Sequence, residues 1–122
     1  MHFASVRIIT NDVARASAFY ERLLGGTAER PAPQFAVFRA DTGTLAIGAA
    51  STVPVPGFAD SAGGVIVEFR ADSPAAVDET YEDLRTWPAE IVQPPTDMPW
   101  GNRSLLVRDP DGNLVNVFAP LR

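Results

Sequence analysis

Two stretches of this 122-residue chain align without a gap: VRIITNDVARASAFYERLL from Val6 and VEFRADSPAAVDETYEDLR from Val67. At a constant offset of 61 residues Val6 meets Val67, Ile8 meets Phe69, Tyr20 meets Tyr81, Glu21 meets Glu82 and Leu23 meets Leu84. Chance supplies one or two such matches but seldom a whole register. An internal repeat narrows the possible folds more than any other feature, because each copy has to be one supersecondary unit.

Each copy opens with alternation. Val6, Ile8 and Thr10 alternate with Ser5, Arg7 and Ile9, and Val67, Phe69 and Ala71 alternate with Ile66, Glu68 and Arg70. Period two means a strand with two different faces. A helix follows in both. Asp12 is placed to cap the first; Ser73 caps the second, with Pro74 at its opening position. Val13, Ala16, Tyr20, Leu23 and Leu24 form one apolar stripe, matched by Val77, Tyr81 and Leu84. Gly25 and Gly26 close the first helix, and Pro88 stops the chain soon after the second.

Three shorter strands are expected after each helix. They are TAERP, QFAVFRAD and TLAIGA in the first half, then AEIVQ, NRSLLVR and NLVNVFA in the second, with DPDG as the last turn. Both halves read strand–helix–strand–strand–strand. STVPVPG, Ser51 to Gly57, has the Pro-rich, small-residue character of a connector. The expected fold class is α+β: two tandem βαβββ modules forming a cupped mixed sheet with the helices on its outer face. One domain is expected to fill residues 1–122, with module one at about 1–52, a linker at about 53–62 and module two at about 63–122.

Composition removes several chemistries. With no cysteine there is no disulfide, thiol nucleophile or thiolate metal site. All ten basic residues are Arg, so no Schiff-base lysine, lysine base or lysine-bearing phosphate loop exists. The single histidine, His2, sits at the terminus, which argues against a Ser-His-Asp triad. A formal net charge of −5 without a basic cluster disfavours nucleic acid. No apolar run is long enough to cross a bilayer and the N-terminus lacks a secretory signal's design, so no membrane association and a cytoplasmic location are expected.

ITNDVARASAFYERLLG, ADSPAAVDETYEDL and WGNRSLLVRDPDGNLVNVF together resemble the vicinal oxygen chelate superfamily, the glyoxalase, bleomycin-resistance and dioxygenase relatives. The resemblance extends from about Val6 to Phe118 and implies dimers with sites inside the cups. It also implies metal ligands, mostly His and Glu, on the first and last strands of each module. Carried over one at a time, those positions fall on Ser5, Ile66, a residue within Thr44–Ala50 (TLAIGAA) and Asn116. Ser, Ile, an apolar residue and Asn do not make a site for a divalent cation. Neither a metal nor a cofactor is therefore expected.

The strand parity that faces away from the helices carries Ser5, Arg7, Glu68 and Arg70, joined by Asn116, Leu114 and Phe118. Asn116 reads either as a recognition group where the family has a ligand or as a satisfied polar residue tying strands together. Arg7 and Glu68 occupy equivalent places in the repeat. They either neutralise one another or take opposite charges of a ligand. Trp100, on the DMPWGNR loop, offers a flat surface to an aromatic or cationic ligand, or else plugs the cup or meets a second subunit. Of Phe35 and Phe38, which have opposite parity, Phe38 is expected in the cup. Arg103 reads either as an anion anchor or as a solvated strand-edge residue.

The expected ligand-binding set is thus Ser5, Arg7, Phe38, Glu68, Trp100, Arg103 and Asn116, with no catalytic residue. It points to a metal-independent binding protein of the bleomycin-resistance type that sequesters a small organic molecule, cationic or aromatic. Two alternatives remain: a lyase- or isomerase-like enzyme using Glu68 as general base, or a metal-dependent glyoxalase-type enzyme with its ligands placed elsewhere. A domain that dimerises around a filled cup is a third reading. A homodimer is expected because an open sheet edge leaves backbone groups unpaired.

Overall fold

The computed structural model describes residues 3–53, 56–60 and 65–122, apart from the side chain of Ala59. Expectations that concern His2 and much of the connector lie outside the described residues. The chain divides into two compact units, Met1–Ser61 and Ala62–Arg122.

In the first unit β1 (Val6–Thr10) leads into α1 (Val13–Leu24), then β2 (Glu29–Ala32), β3 (Phe35–Ala40) and β4 (Gly43–Ala49). Short 3-10 turns follow at Ala50–Thr52 and Phe58–Asp60. The second unit repeats the plan with β5 (Ile66–Arg70), α2 (Pro74–Leu84), β6 (Glu90–Asp97), β7 (Asn102–Arg108) and β8 (Leu114–Pro120). The sheets have the same strand order, β1-β4-β3-β2 and β5-β8-β7-β6. In both the first strand runs parallel to the last, and the remaining neighbours are antiparallel. A parallel pair requires a crossover, and the helix sits within it. The α+β class with two tandem βαβββ modules follows from these sheets.

The helices begin where their caps stand, at the same 61-residue offset. Asp12 accepts from the Arg15 amide at 3.0 Å, and Ser73 accepts from the Ala76 amide at 3.1 Å. Gly25 closes α1 in the left-handed region, φ 76°, while α2 ends on Arg85 in ordinary helical geometry. The Glu21 carboxylate then takes the Ala28 amide at 2.9 Å, tying α1 to the chain that enters β2.

Helix packing departs from the expected stripes at Leu24, Phe19 and Tyr81. Val13, Ala16 and Tyr20 are buried, but Leu24 is exposed and Phe19 is buried in addition. Phe19 and Tyr20 meet edge to face at 5.0 Å, so two adjacent aromatics widen the apolar face of α1. In α2, Val77 and Leu84 are fully buried. Tyr81 is half-buried, and the Arg85 guanidinium lies 5.5 Å from its ring.

The core under each helix comes from one strand parity. Ile8, Ala36, Leu45 and Ile47 are buried in the first unit, and Leu105, Val107, Val115 and Val117 in the second. The expected strand AEIVQ runs on through Pro94 and Pro95 to Asp97. β6 is an edge strand, so a missing amide can face away from its partner. The register also shifts on either side of Gln93, which absorbs the two prolines.

Candidate functional site

Glu68 and Asn116 lie side by side. Parallel pairing of β5 with β8 puts them in register, and the antiparallel pair β7–β8 puts Leu106 beside Asn116 on the same face. Val67, Phe69, Val115 and Val117 have the opposite parity and lie on the helix side, so Glu68 and Asn116 project from the other. Asn116 Nδ2 donates to Glu68 Oε2 at 2.8 Å. That bond fixes the orientation of the amide and leaves Oδ1 as an acceptor. Oδ1 is closed from solvent and meets no donor among the described residues. A mid-strand apolar residue would avoid that cost, since an unmet buried polar atom costs about 1–3 kcal/mol.

Arg7 holds the equivalent place in the first unit. In its sheet it pairs with Ala46, and the next pair on the same face is Ile9 with Gly48. The exposed Arg7 guanidinium is carried on a stem packed against β4. A Cβ on Gly48 would stand 3.2 Å from Arg7 Cδ, 3.4 Å from Phe35 Cε1 and 3.1 Å from Thr52 Oγ1. A larger residue there would require those three side chains to give way by a few tenths of an ångström. Ser5 is exposed, one residue ahead of β1.

Two expected ligand groups lie on the helix side of their sheets. Phe38 is a correction: its ring meets Tyr20 of α1 at 6.5 Å, and it pairs with buried Leu45. The strand passes Phe35 to the other side, where it pairs with Gly48. Sequence parity separates these two phenylalanines but cannot say which belongs to the helix. The Tyr20–Phe38 contact decides it.

Arg103 is the other. Its register partner is buried Ala119, and its guanidinium reaches Asp78 of α2 at 2.8 Å and Asp97 of β6 at 2.7 Å. It ties a helix and two strands together and is not brought to Glu68 and Asn116. The hydrogen bond from Arg103 holds the Asp97 carboxyl below the usual carboxylate range, aided by the guanidinium charge and opposed by desolvation. The hydrogen bond to Asp97 in turn holds Arg103 protonated. Trp100 stands 69% exposed on the turn between β6 and β7, which is closed by Met98 and Gly101 amides donating to Asn102 and Met98 carbonyls.

The metal positions implied by the resemblance can be tested against this geometry. Ile66 is an exposed hydrocarbon, Ala46 and its neighbours in β4 carry no donor, and the Asn116 amide turns its nitrogen toward Glu68. No three of His, Asp and Glu converge among the described residues. These residues do not fit a divalent cation, which takes several carboxylate or imidazole donors at one point.

The DPDGN turn sets the register of β8 and hence the place of Asn116. Asp109 Oδ1 accepts from the Asp111 and Asn113 amides at 2.9 Å each, and Oδ2 accepts from Asn113 Nδ2 at 2.8 Å. Gly112 donates back to the Asp109 carbonyl at 3.0 Å. No helix among the described residues is long and apolar enough to cross a membrane.

A family model described as "Glyoxalase/Bleomycin resistance protein/Dioxygenase superfamily" matches residues 2–117. Among solved structures, the chain is similar to a glyoxalase/bleomycin resistance protein/dioxygenase from Nocardioides. The identity is 31% and the TM-score 0.80, over 100% of this chain and 85% of that one. It shares its fold with a glyoxalase-related enzyme from Fulvimarina pelagi, 18% identical with a TM-score of 0.85 over 98% and 88% of the two chains. It also shares it with a glyoxalase/bleomycin resistance protein/dioxygenase family enzyme from Burkholderia phytofirmans PsJN. There the identity is 20% and the TM-score 0.85, over 97% and 98%. Comparison with curated proteins gives no match.

Two expectations follow from this geometry. Asn116→Leu, close to isosteric, replaces the orphaned acceptor and should raise stability to urea by about 1 kcal/mol. A loss of stability instead would make Asn116 a strand tie. Because the Asp97 carboxyl is held low in the folded state, its contribution to stability is present above the unfolded value of about 3.9. That contribution is lost as pH falls through the depressed folded value. Acid titration of stability should therefore show the wild-type advantage over Asp97→Asn at neutral pH disappearing below about pH 3.9.

Proposed function

The chain belongs to the glyoxalase/bleomycin resistance protein/dioxygenase superfamily, and we propose that within it this protein is a metal-independent binding protein for a small organic cation with an aromatic body. The observation that carries the reading is the Glu68–Asn116 pair on the helix-free side of the second sheet. The amide steadies one carboxylate oxygen and leaves the negative charge to a ligand. A cation held there gains a charge-assisted hydrogen bond. Leu106, Leu114 and Phe118 share that face and supply apolar surface.

Support also comes from the charge of the chain and from an exposed aromatic ring elsewhere on the second module. An acidic chain draws cations by its overall field. The exposed Trp100 ring of the same module is a surface on which a planar cation can stack. Asn116 acts here as a positioning residue, which gives a reason for an unmet acceptor in the middle of β8. Sequestration is the activity this implies, and family membership alone does not supply it.

A homodimer belongs to the same proposal. β1 and β5 are end strands of their sheets, and neither carries the prolines that guard the opposite edges at β2 and β6. A second copy can cover the backbone groups that such edges leave open. Light scattering on the purified protein should give twice the chain mass; a monomer at micromolar concentration would remove this part.

A thermal-shift screen tests the binding reading, with aromatic amines, amidines and cationic antibiotics in one arm and Ni, Mn, Zn and Fe in the other. A ligand at a hundred times its Kd adds about 2.7 kcal/mol, a readily visible shift. The expected result is stabilisation by an aromatic cation and by no metal, with Glu68→Gln losing at least tenfold in affinity. Specific stabilisation by a metal would return the metal-dependent branch. Turnover lost in Glu68→Gln while binding persists would make Glu68 a general base.

A further inference from the structure

We infer that Ser104 is a specificity-determining contact of the site proposed at Glu68 and Asn116, and that the ligand there is a hydroxyaryl amine, with its ammonium at Glu68 and its ring hydroxyl at Ser104. The inference rests on the cation reading of that site.

Register places Ser104 on the same side of the second sheet. It pairs with Phe118 on β8 and with Thr96 on β6, while its neighbours Arg103 and Leu105 go to the helix side. Phe118 is two residues beyond Asn116 on one strand, and Asn116 is in register with Glu68 on the next. Glu68 and Ser104 therefore sit at opposite corners, with about 12 Å between their Cα atoms from two strand spacings and two residues of rise. Phe118 and the Asn116–Glu68 bond lie between them.

Ser104 is only 5% exposed, yet its hydroxyl makes no hydrogen bond to any described residue. A serine opposite a threonine on paired strands is well placed to share one. Here Thr96 turns its hydroxyl to the Pro94 carbonyl at 2.7 Å instead. Nor is Ser104 Oγ among the unpartnered atoms sealed from solvent, as Asn116 Oδ1 is. It belongs to a buried side chain whose one polar atom still opens to the helix-free side. Most buried polar groups are bonded, and this face carries two that are not.

The ring substituent follows from the chemistry of the group that meets it. A serine hydroxyl both donates and accepts, and so does a phenol. Ser104 carries no charge, and a chain of net charge −5 disfavours a carboxylate at that end of the ligand. The Phe118 side chain, placed between the two polar ends, offers the ligand's ring an aromatic surface.

Phenethylamine and tyramine, which differ by one ring hydroxyl, are the probes, titrated calorimetrically into the full-length protein. The expected result is that both bind and tyramine binds about fivefold more tightly, the worth of one net hydrogen bond. Ser104→Ala should abolish that preference and leave phenethylamine affinity unchanged. Glu68→Gln should weaken both amines at least tenfold and keep the preference. Stability of Ser104→Ala to urea should equal or exceed that of the wild type, because no bond is lost.

Equal affinity for the two amines, or a preference that survives in Ser104→Ala, would overturn the inference and leave the Glu68 reading standing. Destabilisation of Ser104→Ala would overturn it too, by making the hydroxyl a structural tie. Tighter binding of 4-(aminomethyl)benzoate than of tyramine would replace the phenol with an anion. Binding of neither amine at millimolar concentration would remove the cation reading itself, and this inference with it.

Discussion

Each sheet in this protein meets its helix with one parity of side chains and must leave the other parity on its opposite side. Ile8, Leu45, Ile47 and Phe38 go to α1, and Val115, Val117, Leu105 and Val107 go to α2. Adjacent residues on the same strands have no access to the helix. Arg7 and Phe35 in one module, and Glu68 and Asn116 in the other, are placed by that exclusion. Slipping β1 or β5 by one residue would bring the charges under a helix and expose the core. Burial of the apolar set therefore fixes the positions of Arg7, Phe35, Glu68 and Asn116.

The two sides treat polar residues differently. On the helix side a charge has to be matched, and Arg103 is matched twice, by Asp78 and Asp97. Its fork becomes part of the joint between α2, β6 and β7. On the other side a polar pair can keep capacity unspent. Glu68 and Asn116 share one hydrogen bond and leave the Asn116 Oδ1 acceptor unmet. Arg7 keeps its fork while its stem is committed to packing over Gly48. Repetition supplies the scaffold twice, and substitution at equivalent positions has given the copies opposite charge.

Much of this was legible in the chain itself. The caps at Asp12 and Ser73, the parity of β1 and β5, and the strand that bears Asn116 follow from local patterns. Those patterns are strong because a helix start or a two-faced strand needs only nearby residues. Other features were hidden because they depend on partners distant in sequence. Phe35 and Phe38 are equally apolar, and only the Tyr20 ring distinguishes them. Pro94 and Pro95 argue against a strand until β6 is known to lie at an edge. Gly48 looks like an ordinary small residue in an apolar run. Its need for space arises from an arginine on one neighbouring strand and a phenylalanine on the other.

By itself, the sequence determined the repeat, the βαβββ order of each half, the family resemblance and the kinds of side chain at the family's ligand positions. All of these rest on periodicity and on residue identity at fixed spacing. Tertiary structure alone decided which polar groups are spent and which remain open. Arg103 is consumed by a helix 25 residues away along the chain, and Glu68 is joined to an amide 48 residues away. The physical reason is that a hydrogen bond or an ion pair is a relation between two positions in space. A residue's chemistry can be read one position at a time, but its availability depends on what the fold has already placed beside it.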